Sequence, residues 1–215
     1  MSAIFPIIIF IFSVIIHEVS HGYVAYLQGD NTAKFAGRLT LNPIPHIDLF
    51  GSIILPLVLI LSGSPMVVGW AKPVPFNPYN LRNQRFGEAL VAIAGPLSNI
   101  SIAVIFGFFL RLGIFVSLTE PFIYIVLINL VLATFNLVPI PPLDGSKILF
   151  SLNPDKVWVG RPSALADGLA YGFNKTKMFM ERYQMFLLIF FVFFLWQFIY
   201  PLINFEFHLI TGIIL

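Results

Sequence analysis

The chain has no cysteine. A thiol nucleophile, a disulfide framework and thiolate metal ligands are therefore excluded together. Charge is scarce as well: 10% of the 215 residues are Asp, Glu, Lys or Arg, and the net charge is +2. No basic cluster stands out, so no nucleic-acid partner is expected. The first apolar run has no basic stretch ahead of it and no small-residue cleavage site behind it. It is expected to be retained as a span and not removed as a signal peptide. Lipidation signals and internal repeats are also missing.

What is present in quantity is apolar: 58% of the residues are hydrophobic and the mean hydropathy is +0.91. That composition belongs to a membrane protein, and the length suits one embedded domain over residues 1–215. The expected fold class is an α-helical polytopic membrane protein. It would have about four transmembrane helices, a re-entrant apolar segment and short membrane-associated β-strands. Ala3 to Leu27 is long enough to cross a hydrocarbon core of ~30 Å at ~1.5 Å per residue, and Gly29-Asp30-Asn31 ends it. Lys34 to Leu41 alternates polar and apolar, a period of two that predicts a strand or short hairpin. Leu49 to Leu61 is apolar but short for a span. Gly69 to Pro75 reads as extended chain whose two prolines allow an edge strand at most. Gly87 to Leu110, Pro121 to Val138 and Met185 to Ile203 are the remaining spans. Ser151 to Arg182 is polar, and Asn204 to Leu215 is left open.

Within the first span lies His17-Glu18-Val19-Ser20-His21. Residues four apart share a helix face, so the two imidazoles can serve one ion, and two imidazoles suit zinc. Glu18 is one residue further round and is placed to address a water on that ion as a general base. A carboxyl and two imidazoles at membrane depth are costly unless they pair or face a polar cavity, which argues against a chance pattern.

Whether Leu49–Leu61 crosses or returns sets the topology. Of the twelve Lys and Arg residues, five crossings would put Lys34, Arg38 and Arg111 opposite the other nine. Four crossings leave Arg111 alone against eleven, the split that the positive-inside rule favours. The four-crossing reading also brings Asp144, at the end of its span, to the side where His17 and His21 lie. It could then supply the third protein ligand that catalytic zinc sites usually have.

These residues together resemble the site-2 protease family of intramembrane zinc metalloproteases. The resemblance is carried by His17-Glu18-Val19-Ser20-His21 and by Asn136-Leu137-Val138-Pro139-Ile140-Pro141-Pro142-Leu143-Asp144-Gly145. Between them, Ala94-Gly95-Pro96-Leu97-Ser98-Asn99 is similar to the family's Gly-Pro element. The resemblance implies one Zn2+ held by His17, His21 and Asp144, with Glu18 as catalytic acid/base and Asn136 as a substrate-holding residue. It implies cleavage within or near the transmembrane segment of a protein substrate, presented in extended form by Lys34–Leu41 and Trp70–Val74. A PDZ-like insertion and a CBS-type tail are not found, so the chain is similar to small, core-only members. The expected setting is multi-pass in a prokaryotic cell membrane, with the lipid bilayer around it and the site toward the cytoplasm.

Two other classes compete. A transporter with an intramembrane metal or proton site would need polar residues through the whole bilayer, and here they cluster at one depth. A non-catalytic scaffold binding transmembrane helices would have no use for a charged Glu18. His46-Ile47-Asp48 is read as a surface turn in preference to a gating element, and His208 as an interfacial residue. For Asn99, a contact with the site and a helix–helix hydrogen bond remain equal readings.

Overall fold

Long uninterrupted apolar runs become long helices, because in a bilayer each backbone polar group must be satisfied within its own segment. The computed structural model describes residues 4–62, 69–153 and 164–213. Three stretches in it are long and apolar enough to cross a membrane: Phe5–Leu27, Gly87–Leu112 and Val116–Asn136. They belong to α1 (Ile4–Leu27), α4 (Gly87–Leu112) and α5 (Thr119–Asn136). Helix α4 ends where Gly113 takes φ 63°, a left-handed conformation that glycine adopts without a Cβ clash. It packs against both α1 and α5. Their far end is closed by α9 (Trp196–Thr211), whose Ile203 and Phe207 bury against Ala103, Val126 and Leu130.

The shorter elements lie between these helices. One helical turn, α2 (Thr32–Phe35), follows α1. A π-helical stretch, Leu49–Ile54, leads into α3 (Leu55–Leu61). Helix α6 (Asp144–Ser151) follows the proline-rich turn, and α7 (Ala164–Arg182) and α8 (Gln184–Phe190) precede α9. The run from Leu49 to Leu61 reaches about 20 Å at ~1.5 Å per residue, too little to cross. The chain also returns to where this run began. Trp70 N–H donates to Gly51 O at 3.2 Å, and Ser52 Oγ donates to Trp70 O at 2.8 Å. Trp70 thus lies beside Gly51 and Ser52, so the chain comes back to the start of the run, as a re-entrant segment requires.

Two expectations need correction. No strand forms among the described residues. Within Lys34–Leu41, Lys34 and Phe35 are helical, and Gly37 reverses the chain at φ 65°. The alternation misleads because its burial is inverted: Phe35 is 84% exposed and Arg38 only 6%. Arg38 turns inward to donate to Lys72 O (2.7 Å) and Pro73 O (3.1 Å). Trp70–Val74 is extended as expected, but side chains and single backbone contacts hold it where a strand would have a ladder. The last span is also not one straight helix. Gln184–Phe194 and Gln197–Thr211 meet at 66°, across a π-helical stretch at Phe191–Leu195. Pro201 cannot donate to the carbonyl of Gln197, so the first turn after the bend lacks one of its helical hydrogen bonds.

Candidate metal centre

His17 and His21 occupy one face of α1, with ring centroids 4.6 Å apart. Asp144, the first residue of α6, reaches them from the far end of the proline-rich turn. Its Oδ2 lies 3.1 Å from His17 Nε2 and 3.0 Å from His21 Nε2. All three side chains are buried. The other ring nitrogens are spoken for: His21 Nδ1 is 2.7 Å from Val91 O and His17 Nδ1 is 2.6 Å from Asn99 Oδ1. A carbonyl only accepts, so His21 donates from Nδ1 and presents a lone pair at Nε2. Two imidazole nitrogens and a carboxylate oxygen, all within 4.8 Å of one another, make a donor set suited to zinc. Ligands ~2.0–2.1 Å from a tetrahedral zinc lie about 3.3 Å apart, close to the separations seen. The residues therefore fit the ion that the motif implies.

Asp144 divides its oxygens. Oδ2 faces the histidines, while Oδ1 takes an ion pair from Lys147 Nζ at 3.0 Å. The Lys147 ammonium favours the ionised carboxylate, which leaves Oδ2 free to ligate. Lys147 was not anticipated, although its i+3 spacing from Asp144 was a readable signal.

Two glycines make room. A Cβ on Gly95 of α4 would run into the His21 ring and lie 2.6 Å from His17 Cε1. The Gly-Pro element thus gives the imidazoles a flat wall, and α4 continues unbroken through Pro96. A Cβ on Gly145 would strike the carbonyl of Leu137, so glycine lets the proline-rich turn fold tightly behind Asp144.

Glu18 reaches the extended segment, where its Oε2 accepts from Val74 N–H at 2.8 Å. Asn99 does both things expected of it, bonding His17 and joining α4 to α5 through Asn129. Asn136, half-buried at the end of α5, donates to Leu132 O at 2.9 Å and does not touch the three ligands. His46 and Asp48 fasten the return of the chain. His46 Nε2 donates to Thr40 O, the His46 carbonyl accepts from Lys72 N–H, and Asp48 Oδ1 accepts from Gly51 N–H. His208 is exposed on α9 and takes no part in the ligand set.

Fold and site together define a helical membrane protein whose buried His–His–Asp group is built to take a metal. The profile of peptidase family M50 matches residues 112–157. YwhC of Bacillus subtilis is 42% identical over 178 residues, 78% of this chain and 75% of that protein. Rip2 of Mycolicibacterium smegmatis is 29% identical over 170 residues, 75% of this chain and 60% of Rip2. Rip2 of Mycobacterium tuberculosis is 30% identical over 136 residues, 62% of this chain and 51% of that protein. All three carry a provisional name as zinc metalloproteases. The chain belongs to the site-2 protease family, peptidase family M50. It spans less than two thirds of either Rip2. No solved structure matches it significantly.

Proposed function

We propose that the chain is an intramembrane zinc endopeptidase, hydrolysing a peptide bond within or near the transmembrane segment of a membrane-protein substrate. The observation that carries this reading is the meeting of His17, His21 and Asp144 beside Glu18, with Glu18 hydrogen-bonded to an extended stretch of chain. His17 Nε2, His21 Nε2 and Asp144 Oδ2 would hold one zinc per chain. When bound, zinc activates water and polarises the scissile carbonyl. Glu18 takes the proton of the attacking water and later gives it to the leaving amine. Val74 N–H fixes one oxygen of Glu18, Oε2, and leaves Oε1 for that exchange.

A helical substrate offers no accessible carbonyl, so it must be unwound and held. Among the described residues, Ala71 makes no hydrogen bond from its N–H or to its C=O. It is where an extended substrate backbone can pair, in the manner of strand addition. Lys34–Leu41 is withdrawn from that role, and Asn136, whose Oδ1 has no partner among the described residues, is kept as a substrate contact. A cavity of about 310 Å³ lies beside Lys147, the ion-pair partner of Asp144, and is lined by Phe76, Pro142 and Phe150 together with Lys147 and Lys177. The return of the chain from Leu49 to Trp70 supports four crossings, with eleven of the twelve basic residues and the site then on the cytoplasmic side of a prokaryotic cell membrane.

The test is metal analysis and cleavage on one purified sample in lipid vesicles carrying a transmembrane substrate. One zinc per chain is expected, with cleavage lost on chelation and restored by zinc. Cleavage that persists after complete stripping would reject the proposal.

A further inference from the structure

A buried chain of hydrogen bonds runs from His17 through three helices. Asn99 on α4 and Asn129 on α5 are both fully buried, and Ser13 lies one turn before His17 on α1. His17 Nδ1 lies 2.6 Å from Asn99 Oδ1, and Asn99 Nδ2 lies 2.7 Å from Asn129 Oδ1. Asn129 Nδ2 lies 2.9 Å from Ser13 Oγ and 2.8 Å from Ile125 O, while Asn99 Nδ2 also points to Ser13 O at 3.4 Å.

The direction of this chain is forced. Ile125 O can only accept, so Asn129 must turn its amino group toward it and toward Ser13. Its Oδ1 then faces Asn99 and needs a donor. Asn99 meets that need with Nδ2, which also serves Ser13 O, another pure acceptor. Only Oδ1 of Asn99 is left for His17, so His17 must donate from Nδ1 and keep the Nε2 lone pair toward Asp144. Reversing either amide would set acceptor against acceptor in a buried site, where an unmade hydrogen bond is costly.

We infer that Asn129 is a positioning residue for the metal centre: from two hydrogen bonds away, it sets the amide of Asn99 and, through it, the tautomer of His17. His21 needs no relay, because the Val91 carbonyl plays that part directly. The inference rests on the proposed metal site but predicts something that site alone does not. Outer partners of ligating histidines typically contribute 10–100-fold to metal affinity.

The experiment measures zinc affinity by chelator competition on the purified full chain. Asn129→Leu keeps the side-chain volume and removes every polar atom, and a loss of about 10–100-fold is expected. Asn99→Asp accepts from His17 Nδ1 with either oxygen, so the tautomer of His17 no longer depends on Asn129, and its second oxygen now faces the acceptors Asn129 Oδ1 and Ser13 O. In that background, adding Asn129→Leu should lower affinity by no more than about twofold, the non-additivity by which a double-mutant cycle marks two coupled residues. If Asn129→Leu does not fold, Asn129→Ser, which bonds back to Ile125 O but falls short of Asn99, should show the same loss and the same rescue. Wild-type affinity in the Asn129 variant would overturn the relay. An equal loss in both backgrounds would show a packing role and would overturn it too. A wild-type protein that binds no zinc would overturn the metal-site reading and this inference with it.

Discussion

Gly95 stands where the two imidazoles press against α4, and the atoms nearest a Cβ there belong to His21 and His17. Alanine is the better helix former by ~1 kcal/mol, so Gly95→Ala should leave helix content intact while pushing the rings out of register. We expect unchanged circular dichroism and strongly reduced bound zinc; normal zinc content would show that the rings have room to yield. At this scale the sequence was legible wherever a helical spacing sets two residues on one face, as with His17 and His21. Asp144 was legible from its depth at the end of a span. Behind the second ring nitrogens, Asn99 was legible as a candidate contact, but Val91 and Asn129 were not. Val91 acts through its backbone, which has no sequence signature, and Asn129 acts across two helices whose register only packing decides.

Among the elements, the extended segment over Glu18 depends on its fastenings. Arg38 and His46 hold Lys72, and Asp30 holds its far end by accepting from Asn77 N–H (2.7 Å) and Asn80 Nδ2 (3.0 Å). Burial opposes ionisation of Asp30, but hydrogen bonds from Thr32, Asn80 and Asn77 outweigh it and keep its carboxyl below the usual range. A depressed native pKa adds stability that is fully present above the unfolded value of about 3.9 and is lost as pH falls through the native one. Thermal stability should therefore hold down to about pH 4 and fall below it. Asp30→Ala should lower stability near neutrality by roughly 1–3 kcal/mol and blunt that acid fall. An unchanged acid limb in Asp30→Ala would remove Asp30 from this role. Sequence periodicity misjudged the neighbouring segment because a period of two reports alternation, not which side is buried. There the arginine goes in and the phenylalanine stays out. The return was legible from the run's length, the split of the basic residues and the side on which Asp144 must lie, and it can be probed directly. Single cysteines at positions 48 and 73, in a chain with none of its own, should both react with an impermeant reagent from the cytoplasmic face only. Labelling of the two from opposite faces would restore a fifth crossing.

At the level of the whole molecule, the helices exist to bring three distant pieces of chain to one depth. Helix α1 supplies two imidazoles and a glutamate, α4 a flat wall and two hydrogen-bond acceptors, and the turn after α5 a carboxylate. The family was legible because those pieces occur in order along the chain, and the extended segment is the one part brought in by tertiary contacts alone. In the proposed mechanism Glu18 moves the proton while the ligand set holds the metal, and Glu18→Gln separates the two tasks. The Gln amide oxygen can still accept from Val74 N–H, so the segment stays fastened, but the amide cannot take the water's proton. Bound zinc and the cleavage rate of a transmembrane substrate, measured on the same purified Glu18→Gln sample, should show wild-type metal content with a rate reduced by at least about 10²-fold. Cleavage near the wild-type rate would show that Glu18 is not the proton carrier.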